Sequence, residues 1–229
     1  MTFEKFGAIG RRSVLGIAVV AALPISIRFD EAQAAALAPG KAFSGVRAMT
    51  FDIAGTLFDY YKPFIRISTR LGAQKGLTQD WPSFLQDWNA GVGAIIQAIA
   101  SGKQSWVSPG QVFRAALDQL LTGYGLASQF DENDRRELMS VWGQMVPWPD
   151  SVEGAKRLKR HFTVAALSNA GMSTLISVAK RSGLPLDAVL SGELVHAYKP
   201  TLDVYQSAST YLGFPPEQII VNSRAIVTP

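Results

Sequence analysis

The stretch GVRAMTFDIAG, residues 45–55, is an apolar run bounded by glycine, and it runs into a carboxylate, Asp52. A short run without polar alternation predicts a strand buried on both faces, as in a parallel sheet. Helices must then cover both faces, and the sequence after residue 149 supplies them. SVEGAKRLKR reads as a helix, with Asp150 placed to cap it and Glu153 three residues on. HFTVAALSN reads as a buried strand, MSTLISVAKRSG as a helix closed by Gly183, TLDVYQSASTYLGF as a further helix and EQIIVN as a further strand. This alternation predicts an α/β domain built on a doubly wound parallel sheet. Ligands in such sheets bind at the carboxyl ends of the strands, where Asp52 and Ser168-Asn169 both stand.

Between the first strand and this alternation the texture changes. WPSFLQDWNAGVGAIIQAIA, SPGQVFRAALDQLLTGYGL and DENDRRELMSVWGQM carry apolar residues at helical spacing, and Ser108-Pro109 forms a helix start. Residues 63–148 are therefore expected to form a helical insertion, with the α/β core drawn from 45–62 and 149–229. Gly91 and Gly93 fall inside a helical pattern, so a phosphate loop is not expected there.

The segment 1–38 is set apart from the fold. Arg11-Arg12 precede an apolar run, Val14 to Ile27, that is short for a membrane span and interrupted by Pro24. Ala32-Gln33-Ala34 follows with the small residues of a cleavage site. The segment resembles a twin-arginine signal peptide, which implies a periplasmic or secreted protein with no stable membrane anchor after cleavage. An uncleaved amphipathic anchor is the alternative. The chain has no cysteine, so disulfides, thiolate metal sites and thiol nucleophiles are excluded. Its formal charge of +4 is scattered, with no basic run interleaved with aromatics, and nucleic acid is not an expected partner. His161 and His196 are the only histidines and lack partners at ligand spacing, so no metal site is expected.

Asp52, taken alone, is equally a turn cap or a functional carboxylate. Gly55 permits a tight turn behind it, and the Thr56 hydroxyl can hold a carboxylate. Ser168-Asn169 and Lys199-Pro200 each have ordinary turn or helix-start readings. As an ordered set, FDIAGTLFD, AALSNA and AYKPTLDVY resemble the motifs of the haloacid dehalogenase superfamily, from about residue 46 onward. The resemblance implies a Rossmann-like core with an inserted helical cap. Phosphatases of that superfamily carry a second acid two residues after the nucleophile; here the position is Ala54. With VPWPDSVEGAKRLKRHFTVAALSNAG and SGKQSW, the chain looks like a type II 2-haloacid dehalogenase.

That resemblance implies a hydrolase acting on a short 2-haloacid. Asp52 would be the nucleophile, Thr56 and Lys199 would position it, Ser168 would hold the substrate carboxylate, Asn169 would help receive the halide, and Tyr205 would support the site. No cofactor is implied. Oligomeric state is left open, with a homodimer among the alternatives. Two departures stand out. The cap Trp-Arg of the family, whose arginine receives the halide or the substrate carboxylate, reads Trp88-Asn89 here, so Asn89 stands in its place without a charge. After EQIIVN the chain reads VNSRAIVTP, with Val227 about where a fourth-motif acid belongs, so the last core elements are expected to be missing. A truncated, catalytically impaired paralogue and a phosphatase-like hydrolase of the same fold are the competing readings.

Overall fold

The computed structural model describes residues 43–223, together with the backbone of Ala18–Val19. The rest of the signal-like segment and Val227 lie outside the described residues. In chain order the strands are β1 (Ala18–Val19), β2 (Ala48–Phe51), β3 (Phe58–Asp59), β4 (Val146–Pro147), β5 (Thr163–Ser168), β6 (Ala188–Ser191) and β7 (Ile219–Asn222). The helices are α1 (Tyr61–Gln74), α2 (Trp81–Ala100), α3 (Pro109–Gly123), α4 (Glu132–Met139), α5 (Ser151–Leu158), α6 (Met172–Ser182) and α7 (Leu202–Leu212).

A five-stranded sheet of order β1-β7-β2-β5-β6 forms the centre, and every pairing in it is parallel. Side chains alternate across it as the pleat requires. Val164 and Ala166 of β5 pack with Ala155 of α5 and with Leu175 and Val178 of α6. Leu167 turns the other way and packs with Val204 and Ala208 of α7. The expected doubly wound α/β core is thus present, and its centre is β2. Ala48 and Thr50 of β2 are fully buried, and the Thr50 hydroxyl donates to the Ile220 carbonyl at 3.4 Å.

The helical insertion forms a second layer, and its buried aromatic residues are continuous with the cluster packed on β5. On α1 the buried Phe64, Ile67, Ser68 and Leu71 fall on one helical stripe. Gly72 continues that face, because a Cβ there would stand 2.6 Å from the Trp81 ring. Trp88 is fully buried, donates from Nε1 to the Phe113 carbonyl at 2.9 Å, and meets Phe64 and Trp142 edge-on or tilted. Each such ring contributes about 1.5–3 kcal/mol through burial. Local signals start these helices. Asp80 accepts from Ser83 N at the head of α2, and Ser108 with Gln111 forms a capping box at α3.

Several local expectations are revised. The helical layer begins two residues before Pro63, which sits in the first turn of α1, where its missing N–H has no intrahelical partner to lose. Asp150 makes no side-chain cap to α5; the Ser151 hydroxyl reaches back instead and donates to the Leu57 carbonyl at 2.7 Å. Strand β6 has no counterpart in the sequence reading, since AVLS is too short to stand out from the loops around it. Two residues of the signal-like run, Ala18 and Val19, pair with Ile220 and Val221 at the sheet edge.

Candidate active site

Asp52 leaves the end of β2 and its backbone N–H donates to the Asn222 carbonyl of β7 at 2.9 Å. The chain behind it closes tightly. Gly55 has φ of +78° and donates to the Phe58 carbonyl at 2.7 Å, while Leu57 and Phe58 both donate to the Ile53 carbonyl at 3.0 Å. A side chain other than glycine is strained at that φ. Thr56 lies within this closed turn. The carboxylate direction is therefore fixed by backbone on both sides.

Lys199 comes from the loop after β6, and its ammonium meets Asp52 Oδ1 at 2.9 Å. It donates a second bond to the Leu167 carbonyl, also at 2.9 Å. Both partners are mostly buried, their side chains being 13% and 20% exposed. Asn169 holds the lysine by its backbone: Lys199 N–H donates to Asn169 Oδ1 at 2.7 Å, and Asn169 Nδ2 donates to the Lys199 carbonyl at 3.2 Å. Two motifs 30 residues apart are joined this way. One N–H of the Asn169 amide is not used in this clamp.

The loop after β5 is clamped from β6 by residues that the sequence reading did not single out. Ser191 Oγ donates to the Ala170 carbonyl at 2.7 Å and accepts from Glu193 N–H at 3.2 Å. Glu193 Oε2 accepts from Met172 N–H at 2.6 Å, at the start of α6. Gly192, between them, allows the chain to fold back, since a Cβ there would stand 2.1 Å from the Ala197 carbonyl oxygen. The clue to this device is a glycine flanked by hydrogen-bonding residues just before the lysine, but no spacing links it to residue 170.

A cleft of about 550 Å³ opens over these groups. Its core wall includes Asp52, Ala54, Ser168, Asn169, Lys199 and Ser223. Its cap wall includes the apolar side chains of Phe113, Met139, Trp142 and Met145 and, at the head of α3, Ser108, Pro109 and Gly110. Such a wall excludes water and strengthens polar interactions inside. Ser223 was also not anticipated; it follows β7, whose end stands beside that of β2. No arginine is among the described lining residues, and the ionisable groups lining the cleft are Asp52, Glu193 and Lys199.

Thr56, Asn89 and Tyr205 lie outside that lining. Tyr205, on α7, packs against the core cluster under β7. Burial raises its pKa, and the Asp52 charge raises it further. Asn89, on α2, donates from Nδ2 to the Tyr60 hydroxyl oxygen at 3.2 Å. Among the described residues, no group of three or more His, Asp or Glu side chains is arranged to hold a metal ion.

Chemically, the arrangement presents an anchored carboxylate beside an ammonium under an apolar lid. Ala54, where a proton donor to a leaving group could stand, lines the same cleft and carries no proton.

Comparison with known proteins agrees with this geometry. Residues 46–221 match the model of the haloacid dehalogenase-like hydrolases. The chain is 30% identical to (S)-2-haloacid dehalogenase 4A of Burkholderia cepacia, over 79% of this chain and 76% of that one. It is 27% identical to (S)-2-haloacid dehalogenase 1 of Pseudomonas sp. (strain CBS-3), over 79% and 77% of the two chains. Among solved structures, a defluorinating L-2-haloacid dehalogenase aligns with a TM-score of 0.72 at 30% identity, covering 77% of this chain and 72% of that one. The anchored Asp52, the Lys199 beside it and the loop that begins at Ser168 thus occupy one end of a fold shared along most of its length, and the chain belongs to the haloacid dehalogenase-like hydrolases.

Proposed function

We propose that the protein hydrolyses short 2-haloacids through an ester on Asp52. The observation that carries this reading is the Asp52–Lys199 pair at the floor of the cleft, with Ala54 beside it. An Asp52 oxygen attacks the carbon that bears the halogen, the C–O bond forms, and the C–halogen bond breaks with its electron pair leaving as halide. No proton is needed for that departure, which suits alanine at position 54. Water then adds to the aspartyl carbonyl; the C–O bond of that carbonyl to the ester oxygen breaks, the 2-hydroxyacid leaves with one of the water protons, the carboxylate returns and the other proton passes to solvent. This is nucleophilic catalysis by a carboxylate. Lys199 keeps Asp52 oriented throughout, and its second bond to Leu167 stops it from swinging away. On the core side Ser168 is available to the substrate carboxylate, Asn169 to the halide, and Ser223 adds a further hydroxyl to the same wall.

The test is halide release from 2-chloropropionate, run beside phosphate release from p-nitrophenyl phosphate with Mg²⁺. Halide release without phosphate release is expected. Phosphate release alone would replace this reading with the phosphatase-like one.

We further propose that Arg11 and Arg12 direct export of the folded chain, a reading supported by their position before a short apolar run. Replacing both with lysine is expected to move the protein from the periplasmic to the cytoplasmic fraction. An unchanged distribution would rule out the twin-arginine route.

A further inference from the structure

We propose that Tyr198 is a positioning residue that latches the cap over the cleft and, through the peptide it shares with Lys199, ties closure of the cap to the placement of the ammonium. The assignment rests on the role given to Lys199 above and is independent of the leaving group. Tyr198 stands directly before Lys199 and is 1% exposed. Its hydroxyl donates to the Val107 carbonyl at 2.6 Å, across 91 positions of sequence and from core to cap. Val107 belongs to the segment that joins α2 to α3, and the residues that follow it, Ser108, Pro109 and Gly110, line the cleft. The bond therefore pins one stretch of the cap wall to the loop that carries the lysine.

Both ends of this bond are anchored. On the cap side, the peptide that offers the Val107 carbonyl also carries the Ser108 N–H, which donates to Gln111 Oε1 at 3.0 Å, so the restraint passes into the first turn of α3. On the core side, the Tyr198 carbonyl accepts from the Thr201 hydroxyl at 2.8 Å and from the Thr201 N–H at 2.9 Å. The other end of that same peptide is the Lys199 N–H, which Asn169 takes. A displacement of Tyr198 thus moves the backbone from which the Lys199 side chain starts. Aromatic contacts back the bond. The Trp106 ring lies 4.5 Å from that of His196 and stacks at 6.4 Å on that of Tyr198. The buried Trp106 Nε1 has no partner among the described residues, so its side chain is held by ring contacts and not by a hydrogen bond. Burial, and after it the Glu193 charge, raise the Tyr198 pKa, so the phenol keeps its proton and serves Val107 as a donor. The acceptor is a backbone carbonyl, so the latch survives changes of side chain elsewhere in the cap wall. Breaking one hydrogen bond and these ring contacts costs little beside unfolding either layer. This end of the cap can therefore open locally while the β3–β4 ribbon keeps it attached.

Two measurements test the latch, and neither needs turnover. In the first, the full chain is briefly acetylated with acetic anhydride and its lysines are read by mass spectrometry. Lys199, whose side chain is 13% exposed, is expected to label slowly beside Lys62, whose side chain is 81% exposed. Tyr198→Phe keeps the ring and removes only the latch bond, and it should speed Lys199 labelling ~10-fold, the scale of one buried hydrogen bond, with Lys62 unchanged. Trp106→Leu, a change in the cap alone, should speed it in the same direction. In the second, trypsin cleavage after Lys103, in the exposed run 101–105 beside the latch, is timed. Labelling and cleavage both track the open population, so each variant should raise the two by the same factor. Tyr211→Phe, an exposed residue of α7, is the control expected to change nothing. Each variant carries both readouts, so either decides where the other loses its thermal transition. Unchanged labelling and cleavage in Tyr198→Phe would overturn the assignment. Faster cleavage with unchanged Lys199 labelling would overturn the coupling to the lysine. Faster labelling with unchanged cleavage would make Tyr198 a support of its own loop and remove the latch. These readouts stand whether or not the protein releases halide from 2-chloropropionate, so failure of the latch and failure of the haloacid reading are told apart.

Discussion

Asp52→Asn is expected to abolish halide release, with a loss of about 10⁴-fold or more, as when a covalent nucleophile is removed. The substitution is nearly isosteric. The backbone bond to Asn222 and the closed turn from Ile53 to Phe58 do not involve the side chain, so the fold should be retained. Loss of rate without loss of the thermal transition would assign the effect to chemistry. A label decides the route. In a single turnover in ¹⁸O water, solvent oxygen should enter the Asp52 carboxylate, detectable as a mass shift of the peptide that contains residue 52. The ester opens at the enzyme's own carbonyl, so the product receives its first oxygen from the aspartate. Label found in product alone during that turnover would mean that water attacks the substrate directly and that Asp52 is only a turn residue.

Lys199→Met is expected to cost about 10²–10³-fold in kcat, the scale seen when one preorganised donor is taken from a charged reacting group. The ammonium holds Asp52 Oδ1 and the Leu167 carbonyl together, and methionine can hold neither. Lys199→Arg should recover only part of the rate. Its planar fork is longer, and the Asn169 clamp fixes the backbone from which it starts. Substrate KM should change less than kcat in both variants, because Lys199 is committed to the nucleophile. A KM effect with kcat unchanged would assign Lys199 to substrate binding.

The residues at the centre of this scheme were legible in the sequence for a physical reason. Buried parallel strands appear as uninterrupted apolar runs, and a polar residue that ends such a run is placed by the sheet itself. Asp52 follows β2 and Ser168 ends β5, and these strands pair in parallel, so both residues stand at the same edge of the sheet. Lys199 carried no such signal by residue type and was found only through its place in an ordered set. What stayed hidden are contacts between segments with no shared periodicity. The Ser191 and Glu193 clamp works on backbone groups of another loop, and backbone partners leave no trace in residue type. Tyr60 and Asn89 lie 29 positions apart, on the start of one helix and the face of the next. Asn89 stood out as a departure at a substrate-facing position, and the structure places its amide against a phenol instead. Likewise β6 is four residues long, and α1 carries a proline in its first turn, so neither is announced by its pattern.

The short ribbon at the base of the cap has a further consequence. Strands β3 and β4 pair antiparallel, Phe58 with Pro147 and Asp59 with Val146, and Trp148 N–H donates to the Leu57 carbonyl at 3.0 Å. The chain therefore enters and leaves the helical layer through one doorway, with its two crossings side by side. A segment whose ends meet can be exchanged as a cassette without re-threading the sheet, as insertions at adjacent surface points generally can. Evolution and engineering alike can then rewrite the cap wall of the cleft while leaving the Asp52–Lys199 floor untouched. The shape of the cleft's roof and the carboxylate–ammonium floor are in this sense separately heritable, and a grafted cap is the natural unit in which to change one of them alone.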